Sequence, residues 1–172
     1  MRWMSFPKNI PPNDDFKDIV RIFEAVESSI SSETHERMES NEVLEKVREG
    51  LESIGYIVEK SKKAQDKIHI PVLFGENGNE EKYFEADAYN SAKKIILEVE
   101  AGRAVTNYQF LKDYFEACMM QDIDYLCIAV RNKYMNGKVL SRDFEKVITY
   151  FETLYLSNRI QTALKGVLII GY

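Results

Sequence analysis

An almost continuous apolar segment, DYLCIAV at residues 124–130, is the feature of this sequence that most constrains its fold. An apolar strand without polar alternation is typical of a central strand that is covered on both faces. Other segments supply helices for those faces, because their apolar residues recur at helical spacing. These segments are residues 16–30, 43–54, 107–120 and 144–155. The sequence therefore predicts an α/β sandwich around a mixed sheet.

The element boundaries follow from the same periodicity and from turn residues. Residues 1–13 are rich in Pro and Asn and are expected to be irregular. Strands are predicted at YIV, KIHIPVLF, KYFEADAY, KKIILEVEAG and GVLIIGY. The expected helix boundaries are a cap at Asp14 or Asp15, an end at Gly55, a cap at Thr106 or Asn107, and a start at Ser141.

Composition narrows the classes of protein to which this chain can belong. Of its 172 residues 45% are apolar, which is enough for one domain with a core, and the formal net charge is −5. That charge argues against a protein whose whole surface is basic, although it leaves room for a local basic groove. No apolar run is long enough for a secretory signal or a membrane span, so we expect a cytoplasmic protein.

Cysteine and histidine, the usual zinc ligands, are scarce. The cysteines are Cys118 and Cys127, both in apolar surroundings, and the histidines are His35 and His69. None of them has a neighbour at zinc-ligand spacing, and no Cys–His nucleophile pair is indicated. Chemistry in this chain must therefore use carboxylates, amines, hydroxyls or a hard metal ion.

Acidic residues in two neighbouring predicted strands form the most informative pattern. Glu98 and Glu100 alternate with Val99, so both glutamates face the same side of their strand, roughly 7 Å apart at ~3.3 Å per residue. If the turn AYNSAKK pairs this strand with the preceding one, Asp87 lies beside them, and Glu85 shares its face. Like charges side by side destabilise a sheet. A hard divalent cation such as Mg²⁺ would offset these charges and serve phosphodiester hydrolysis.

The order of these acids resembles the PD-(D/E)xK nuclease superfamily, which has the restriction-endonuclease-like fold. An isolated Glu-x-Glu is more often a solvated polar face, but here Asp87 precedes the string Glu98-Val99-Glu100 on the next strand. The core of the family runs helix, three strands, helix, strand, with an acid on the second strand and (D/E)-x-K on the third. The resemblance covers roughly residues 40–133, and LEVEAG resembles the form of type II restriction enzymes in which Glu or Gln replaces Lys.

The resemblance implies a fold and the limits of a domain. The expected fold is a restriction endonuclease-like α/β/α sandwich with a central mixed β-sheet and an N-terminal helical extension. Residues 1–172 would form a single nuclease-like domain. Its expected parts are the extension at 1–40, the core with the motif at 41–133, and a C-terminal helix and strand at 134–172.

The resemblance also implies roles for the motif residues. Asp87 and Glu98 would ligate Mg²⁺, for which Mn²⁺ would substitute, and the carbonyl of Val99 would add a ligand. Glu100 stands where the family usually has its lysine, so it would act as a metal ligand or general base; Ala86 replaces the motif's proline. Many relatives carry a further acid on the first core helix. The candidates for this additional acid are Glu42 and Glu45, which lie off the apolar helix face, and Glu85.

Several cations are candidates for contacts with a phosphate backbone. Arg103 directly follows the motif strand and would leave it beside the metal. The N-terminus of the next helix would direct N–H groups toward an anion if it faces the site. Two basic segments complete the set, one with Lys60, Lys62, Lys63 and Lys67 and one with Arg131, Lys133, Lys138 and Arg142.

The leading hypothesis from the sequence is a Mg²⁺-dependent endodeoxyribonuclease. A homodimer is expected if the enzyme cuts both strands of a duplex. Two alternatives remain open: a catalytically inactive nuclease-fold module that binds nucleic acid or protein, and an unrelated α/β protein with an acidic surface patch. The sequence does not distinguish DNA from RNA, or single from double strands.

Overall fold

The computed structural model describes residues 1–102, 104–137 and 139–172, which form a mixed α/β fold. No helix in these ranges is long and apolar enough to cross a membrane. The elements in chain order are β1 (Arg2–Phe6), α1 (Asp14–Ala25), α2 (Glu27–Ile30), α3 (Ser40–Ser53), β2 (Ile57–Val58), β3 (Ile68–Phe74), β4 (Glu80–Ala86), β5 (Ala88–Asn90), β6 (Ile95–Glu100), α4 (Gln109–Met119), β7 (Tyr125–Val130), β8 (Tyr134–Asn136), β9 (Val139–Ser141), α5 (Asp143–Ser157) and β10 (Gly166–Gly171).

The central sheet contains six strands in the order β1-β10-β7-β6-β5-β2. Strands β6, β7 and β10 run parallel, whereas β1 pairs antiparallel with β10, β5 with β6, and β2 with β5. The sheet is therefore mixed, as the sequence predicted. The apolar strand β7 lies between two parallel neighbours, which agrees with its expected central position.

Two apolar clusters cover the two faces of this sheet. One cluster joins α1 and α3 to the sheet through residues such as Phe23 and Val47, and the other joins α4 and α5 through residues such as Tyr114 and Phe151. Strand β6 contributes to both clusters by alternation: Leu97 packs with α1 and α3, and Ile96 packs with α4 and α5. The even-numbered residues of β6 therefore face the α4 side, and their common face agrees with the predicted alternation.

The N-terminal segment corrects one expectation. Residues 1–13 were expected to be irregular, but Arg2–Phe6 forms the edge strand β1, which pairs with β10 along its whole length. The apolar pattern of β1 is weak because Phe6 alone among its five residues is fully buried, stacked against Tyr155. Strand β1 completes the main-chain hydrogen bonds of β10, whose side chains are all buried.

The boundaries of the first two long helices match the prediction in part. Gly55 follows α3 with a φ of 91°, in the left-handed region that favours glycine, so the predicted end is confirmed. Neither Asp14 nor Asp15 caps α1. The cap is Asn13, whose side chain accepts a hydrogen bond from the backbone N–H of Phe16 at 2.7 Å.

The starts of the last two helices also differ from the prediction. Neither Thr106 nor Asn107 caps α4, because Tyr108 adopts a φ of 52° and directs the chain into the helix without a side-chain cap. Helix α5 begins at Asp143, two residues after the expected start at Ser141. The hydroxyl of Ser141 instead donates to the carboxylate of Asp143.

Strands β3 and β4 form a separate two-stranded ribbon that leads directly into the main sheet. Strand β4 ends at Ala86 and β5 begins at Ala88, so Asp87 is the one residue between the ribbon and the sheet. This junction places an acidic residue at the point where the chain changes from one sheet to the other.

We expect Leu97→Ala to lower the free energy of unfolding by about 2–5 kcal/mol, because Leu97 has no exposed surface and its truncation leaves a cavity. The matched control is Leu156→Ala, since 84% of Leu156 is exposed, and its effect should be within about 0.5 kcal/mol. Urea denaturation measures both variants. Equal losses for the two would contradict the assignment of Leu97 to the core.

Candidate active site

A groove of about 800 Å³ lies at the carboxyl end of β6, between the ribbon, the N-terminus of α3 and helix α4. Carboxylates line its floor. Those of the predicted motif are Asp87 at the ribbon junction and Glu98 and Glu100 on β6, and Asp113 adds a fourth from α4.

The pairing of β5 with β6 brings Asp87 to Glu98. Ala88 lies opposite Leu97 in this antiparallel pair, so the next residues outward, Asp87 and Glu98, are also opposite each other and share a face. The backbone N–H of Val99 donates to Oδ2 of Asp87 at 2.8 Å, which fixes the carboxylate against β6. The predicted pairing through the turn AYNSAKK is therefore confirmed. The charge of Asp87 contributes to the raised pKa of Glu98, so the two carboxyl groups are neighbours.

The fourth acid comes from the helix that follows the motif strand. Asp113 is 5% exposed, and one of its oxygens, Oδ1, accepts a hydrogen bond from Nε2 of Gln109 at 3.0 Å. Its carboxyl group lies next to that of Glu100 and contributes to the raised pKa of Glu100. The strand glutamates thus have one acidic neighbour at each end, Asp87 across the sheet and Asp113 on the helix.

Burial raises the pKa of every carboxyl group in this cluster. Removal from water is the largest cause at all four residues, and repulsion between neighbouring acids adds to it. The pKa of Asp87 is raised to about 6 and that of Asp113 to about 7. The pKa of Glu100 is raised to about 8, and that of Glu98 lies well above its usual range. The groove therefore favours either protons or a cation on these acids.

Two lysines partly offset the charge at the edges of the groove. Nζ of Lys67 lies 2.9 Å from Oε2 of Glu59, a buried acid at the end of β2, and 3.3 Å from Oε2 of Glu85. Nζ of Lys112 lies 3.1 Å from Oε2 of Glu116 on the same helix. Neither ammonium forms an ion pair with Asp87, Glu98, Glu100 or Asp113.

The other predicted acids fall outside the floor of the groove. Glu85 lines the rim, where it contacts Lys67 and lies 3.9 Å from the imidazole of His69. Glu42 completes a capping box at the start of α3, and its carboxylate accepts a hydrogen bond from the N–H of Glu39 at 2.6 Å. Glu45 is exposed on α3 and does not line the groove. Neither of these two residues of α3 lines the groove.

The predicted cations are also dispersed. Lys62 lies at the rim, 3.7 Å from Glu39, whereas Lys63 is exposed outside the groove. Arg131 is 3% exposed and lies elsewhere: its guanidinium donates to the backbone carbonyls of Glu36 and Met38. Arg131 therefore anchors the loop before α3, and its burial leaves no face for a phosphate. Arg103 and Lys138 lie outside the described residues.

The backbone of the motif strand β6 also lines the groove. Val99 lines the groove through its backbone, while its side chain packs in the cluster with α1 and α3. Asn107 and Gln109, at the entry to α4, line the groove as well. The N-terminus of α4 therefore faces the site, which the sequence had left open, although its start differs from the predicted one.

Four acids that line the groove were not predicted from the sequence: Glu39, Glu59, Asp113 and Glu116. Helix α4 was interpreted as buried on several sides, yet Gln109, Lys112, Asp113 and Glu116 recur at helical spacing and form one polar stripe. This stripe in an otherwise apolar helix was the available signal. Glu59 had none, because its position beside Asp87 depends on the pairing of β2 with β5.

The carboxylate set suits a hard divalent cation. Mg²⁺ and Mn²⁺ take oxygen ligands, and Mg²⁺ commonly uses only one or two carboxylates together with water and substrate oxygens. Across residues 1–102, 104–137 and 139–172, no group of three or more Asp, Glu, His or Cys side chains is placed to hold a metal ion.

Comparisons with known proteins add no family to this description. A scan against protein-family models gave no match, and a search of the curated proteins found no similar sequence. The assignment of a function therefore rests on the groove and its acids.

Without divalent cations, we expect Asp113→Asn to raise the free energy of unfolding by ~1–3 kcal/mol at pH 8, and by less at pH 5. The pKa of Asp113 is about 7 in the folded protein, above its ordinary value of 3.8. Between these two pH values the folded state therefore binds more protons than the unfolded state. The stability that the protonated Asp113 contributes is consequently lost as the pH rises through about 7. The amide cannot ionise and escapes this loss.

Urea denaturation in the presence of a chelator measures the effect of Asp113→Asn at the two pH values. The control is Glu45→Gln on the exposed face of α3, which should change stability equally little at both. A gain for Asp113→Asn that is the same at pH 5 and pH 8 would show that burial of the charge is not its cause.

Proposed function

We propose that this protein is a Mg²⁺-dependent endonuclease that hydrolyses phosphodiester bonds of DNA and has a restriction endonuclease-like fold. The observation that carries the proposal is the position of Asp87 opposite Glu98, with Glu100 two residues further along the same face of β6. These residues are the ones that resemble the motif of the PD-(D/E)xK nucleases.

The order of elements around the groove supports the fold assignment. Helix α3 precedes the strands that carry Asp87, β6 carries Glu98 and Glu100, and α4 leads into β7, which lies parallel to β6. This is the helix, strands, helix, strand order of the resemblance. Helices on both faces of a mixed sheet are also what an α/β/α sandwich requires.

The chemistry of the donors fits a resident Mg²⁺ ion. Asp87 and Glu98 would hold it, with the backbone of Val99 nearby, because the β5–β6 register continues to these two residues and the Val99 N–H orients Asp87. When bound, such a cation activates water and offsets charge on a phosphate. Burial raises the pKa of Glu100 to about 8, so the ionised form that can take a proton from water becomes the major one only as the pH rises above that value.

Lys112 supplies a cation that the motif itself lacks. Glu100 occupies the position where the resemblance would place a lysine, and the ammonium of Lys112 approaches the same glutamates from α4. Burial raises the pKa of Glu98 and Glu100, and the positive charge of Lys112 opposes that rise. We assign Lys112 the role of contacting a phosphate oxygen at the site.

The groove offers four lysines to a polyanionic substrate among a larger number of acids, so a bound cation would have to offset the remaining negative charge. Lys62, Lys67, Lys82 and Lys112 line the groove, while the net charge of the whole chain is −5. Local cations of this kind contact the nucleic-acid backbone without reading its sequence. We further propose that the enzyme acts in the cytoplasm, and as a homodimer, because cleavage of both strands of a duplex calls for two such grooves.

The loss of either metal-binding carboxylate should abolish the proposed activity. We expect Asp87→Asn and Glu98→Gln each to reduce Mg²⁺-dependent cleavage of plasmid DNA by at least ~100-fold, since even outer-shell changes cost 10–100-fold. Gel assays of nicking and linearisation measure the rate. Circular dichroism checks the fold, and Glu45→Gln is the matched surface control.

Titration of the protein with Mn²⁺ separates the proposed enzyme from the inactive module. Saturable binding that Asp87→Asn removes, together with cleavage, supports the nuclease. Mn²⁺-independent binding of DNA by the pure, folded wild type, without cleavage, would replace the proposal with the nucleic-acid-binding alternative. The observation that favours this alternative is Glu100, which stands at the position of the motif lysine.

Lys112→Met should separate substrate contact from metal binding. We expect this variant to cleave DNA ~10–100-fold more slowly, because a charge-assisted contact to phosphate is lost, while its affinity for Mn²⁺ remains within about threefold. Cleavage assays and calorimetry measure the two effects. The control is Lys46→Met, on the exposed side of α3. An unchanged cleavage rate would remove Lys112 from the mechanism.

A further inference from the structure

Two stacked aromatic rings lie where the ribbon of β3 and β4 meets the groove. Tyr83 of β4 and His69 of β3 stack with their ring centroids 3.9 Å apart and their planes at 17°. Tyr83 lines the groove and is 41% exposed, although His69 covers one face of its ring. The next residue, Phe84, is 9% exposed and belongs to the apolar core. Tyr83 therefore presents to the groove an aromatic surface that the core does not use.

Contacts within the ribbon hold this ring pair in place. His69 lies opposite Glu85 in the β3–β4 pairing, and its Nε2 is 3.9 Å from Oε1 of that carboxylate. Oε2 of Glu85 lies 3.3 Å from Nζ of Lys67, which the buried Glu59 in turn holds at 2.9 Å. The rings are therefore preorganised, so little side-chain entropy is lost when a ligand stacks on Tyr83.

The ring pair lies near the acids and beside lysines. Tyr83 precedes Asp87 in the chain by about 13 Å, at ~3.3 Å per residue of strand. Lys67 and Lys82 line the same part of the groove, and Nζ of Lys82 lies 4.8 Å from the centre of the Phe84 ring. Cations that contact a phosphate backbone, together with an exposed ring on which a base can stack, are the combination that binds single-stranded nucleic acid.

We infer that Tyr83, supported by His69, is a stacking platform for one unpaired base of the DNA, and that the groove prefers DNA with unpaired bases to continuous duplex. This inference rests on the proposed nuclease function and deepens it by naming the class of substrate. In a continuous duplex each base is stacked between its neighbours, whereas a base in a single strand or extruded from a duplex exposes its face. Because every base has such a face, the contact selects unpaired structure and not sequence.

The affinities of three matched oligonucleotides test this preference. The probes are fluorescein-labelled oligothymidylate, an abasic oligonucleotide of the same length and charge, and the duplex of the same oligothymidylate with oligoadenylate. Ca²⁺ replaces Mg²⁺, because it offsets the acidic charge with longer and less regular ligand bonds, and a gel verifies that the probes stay intact. We expect the wild type to bind oligothymidylate at least ~5-fold more tightly than either other probe, the lower end of what stacking of one base contributes. Fluorescence anisotropy at one salt concentration measures the affinities.

Substitutions of Tyr83 separate stacking from charge. Tyr83→Ala should bind oligothymidylate and the abasic probe equally, within about twofold, whereas Tyr83→Phe keeps the ring and should retain the preference. The matched control is Phe74→Ala, because Phe74 is 60% exposed at the tip of the ribbon and does not line the groove. It should bind all three probes as the wild type does. An undiminished preference in folded Tyr83→Ala would overturn the inference, and so would a wild type that binds the duplex as tightly as oligothymidylate.

These affinities distinguish failure of the stacking platform from failure of the nuclease proposal. Mg²⁺-dependent cleavage that Asp87→Asn abolishes, without a preference for oligothymidylate, would remove the platform and leave the nuclease standing. A preference that depends on Tyr83, without cleavage of any probe by the wild type in Mg²⁺, would support the platform and overturn the nuclease. Circular dichroism and urea denaturation verify that each variant is folded.

Discussion

The antiparallel register between β5 and β6 is the constraint on which the candidate active site depends. It sets Ala88 opposite Leu97, and it thereby places Asp87 opposite Glu98 on the face that α4 covers. A shift by one residue would turn each glutamate of β6 toward the apolar cluster with α1 and α3. The hydrogen bond from the Val99 N–H to Asp87 reinforces this register at the position where the ribbon joins the main sheet.

The surrounding fold stabilises an arrangement that is unfavourable in itself. Burial raises the pKa of four acids in one groove. The apolar faces of β6 and β7 and the helices on both sides supply the stability that offsets this local cost. Such a balance is common at functional sites, where groups are kept in positions that packing alone would not select.

The sequence predicted the parts of the site that depend on local pattern. Alternation in β6 predicted the common face of Glu98 and Glu100. The short turn after β5 predicted that Asp87 lies beside them. The contribution of Asp113 depends on how α4 packs over β6, and that of Glu59 on the pairing of β2 with β5. These are long-range contacts, which periodicity does not encode.

The difference between local pattern and long-range contact also explains the wrong predictions outside the site. Strand β1 has only one fully buried side chain, Phe6, so its place beside β10 left little trace in its residues. Arg131 was predicted to be a free cation in a basic segment. In the structure the loop before α3 folds back over it, and carbonyls of that loop accept hydrogen bonds from both terminal nitrogens of its guanidinium. Burial of a charged side chain by a distant loop has no local signature.

The junction at Asp87 has a mechanical consequence. The ribbon of β3 and β4 continues into the main sheet through this single residue, and its far end exposes the apolar side chains of Leu73 and Phe74. The carboxylate of Asp87 accepts a hydrogen bond from the Val99 N–H, and its backbone carbonyl accepts one from the N–H of Glu59. The ribbon is therefore anchored to two strands of the main sheet at the acid on which the candidate site depends.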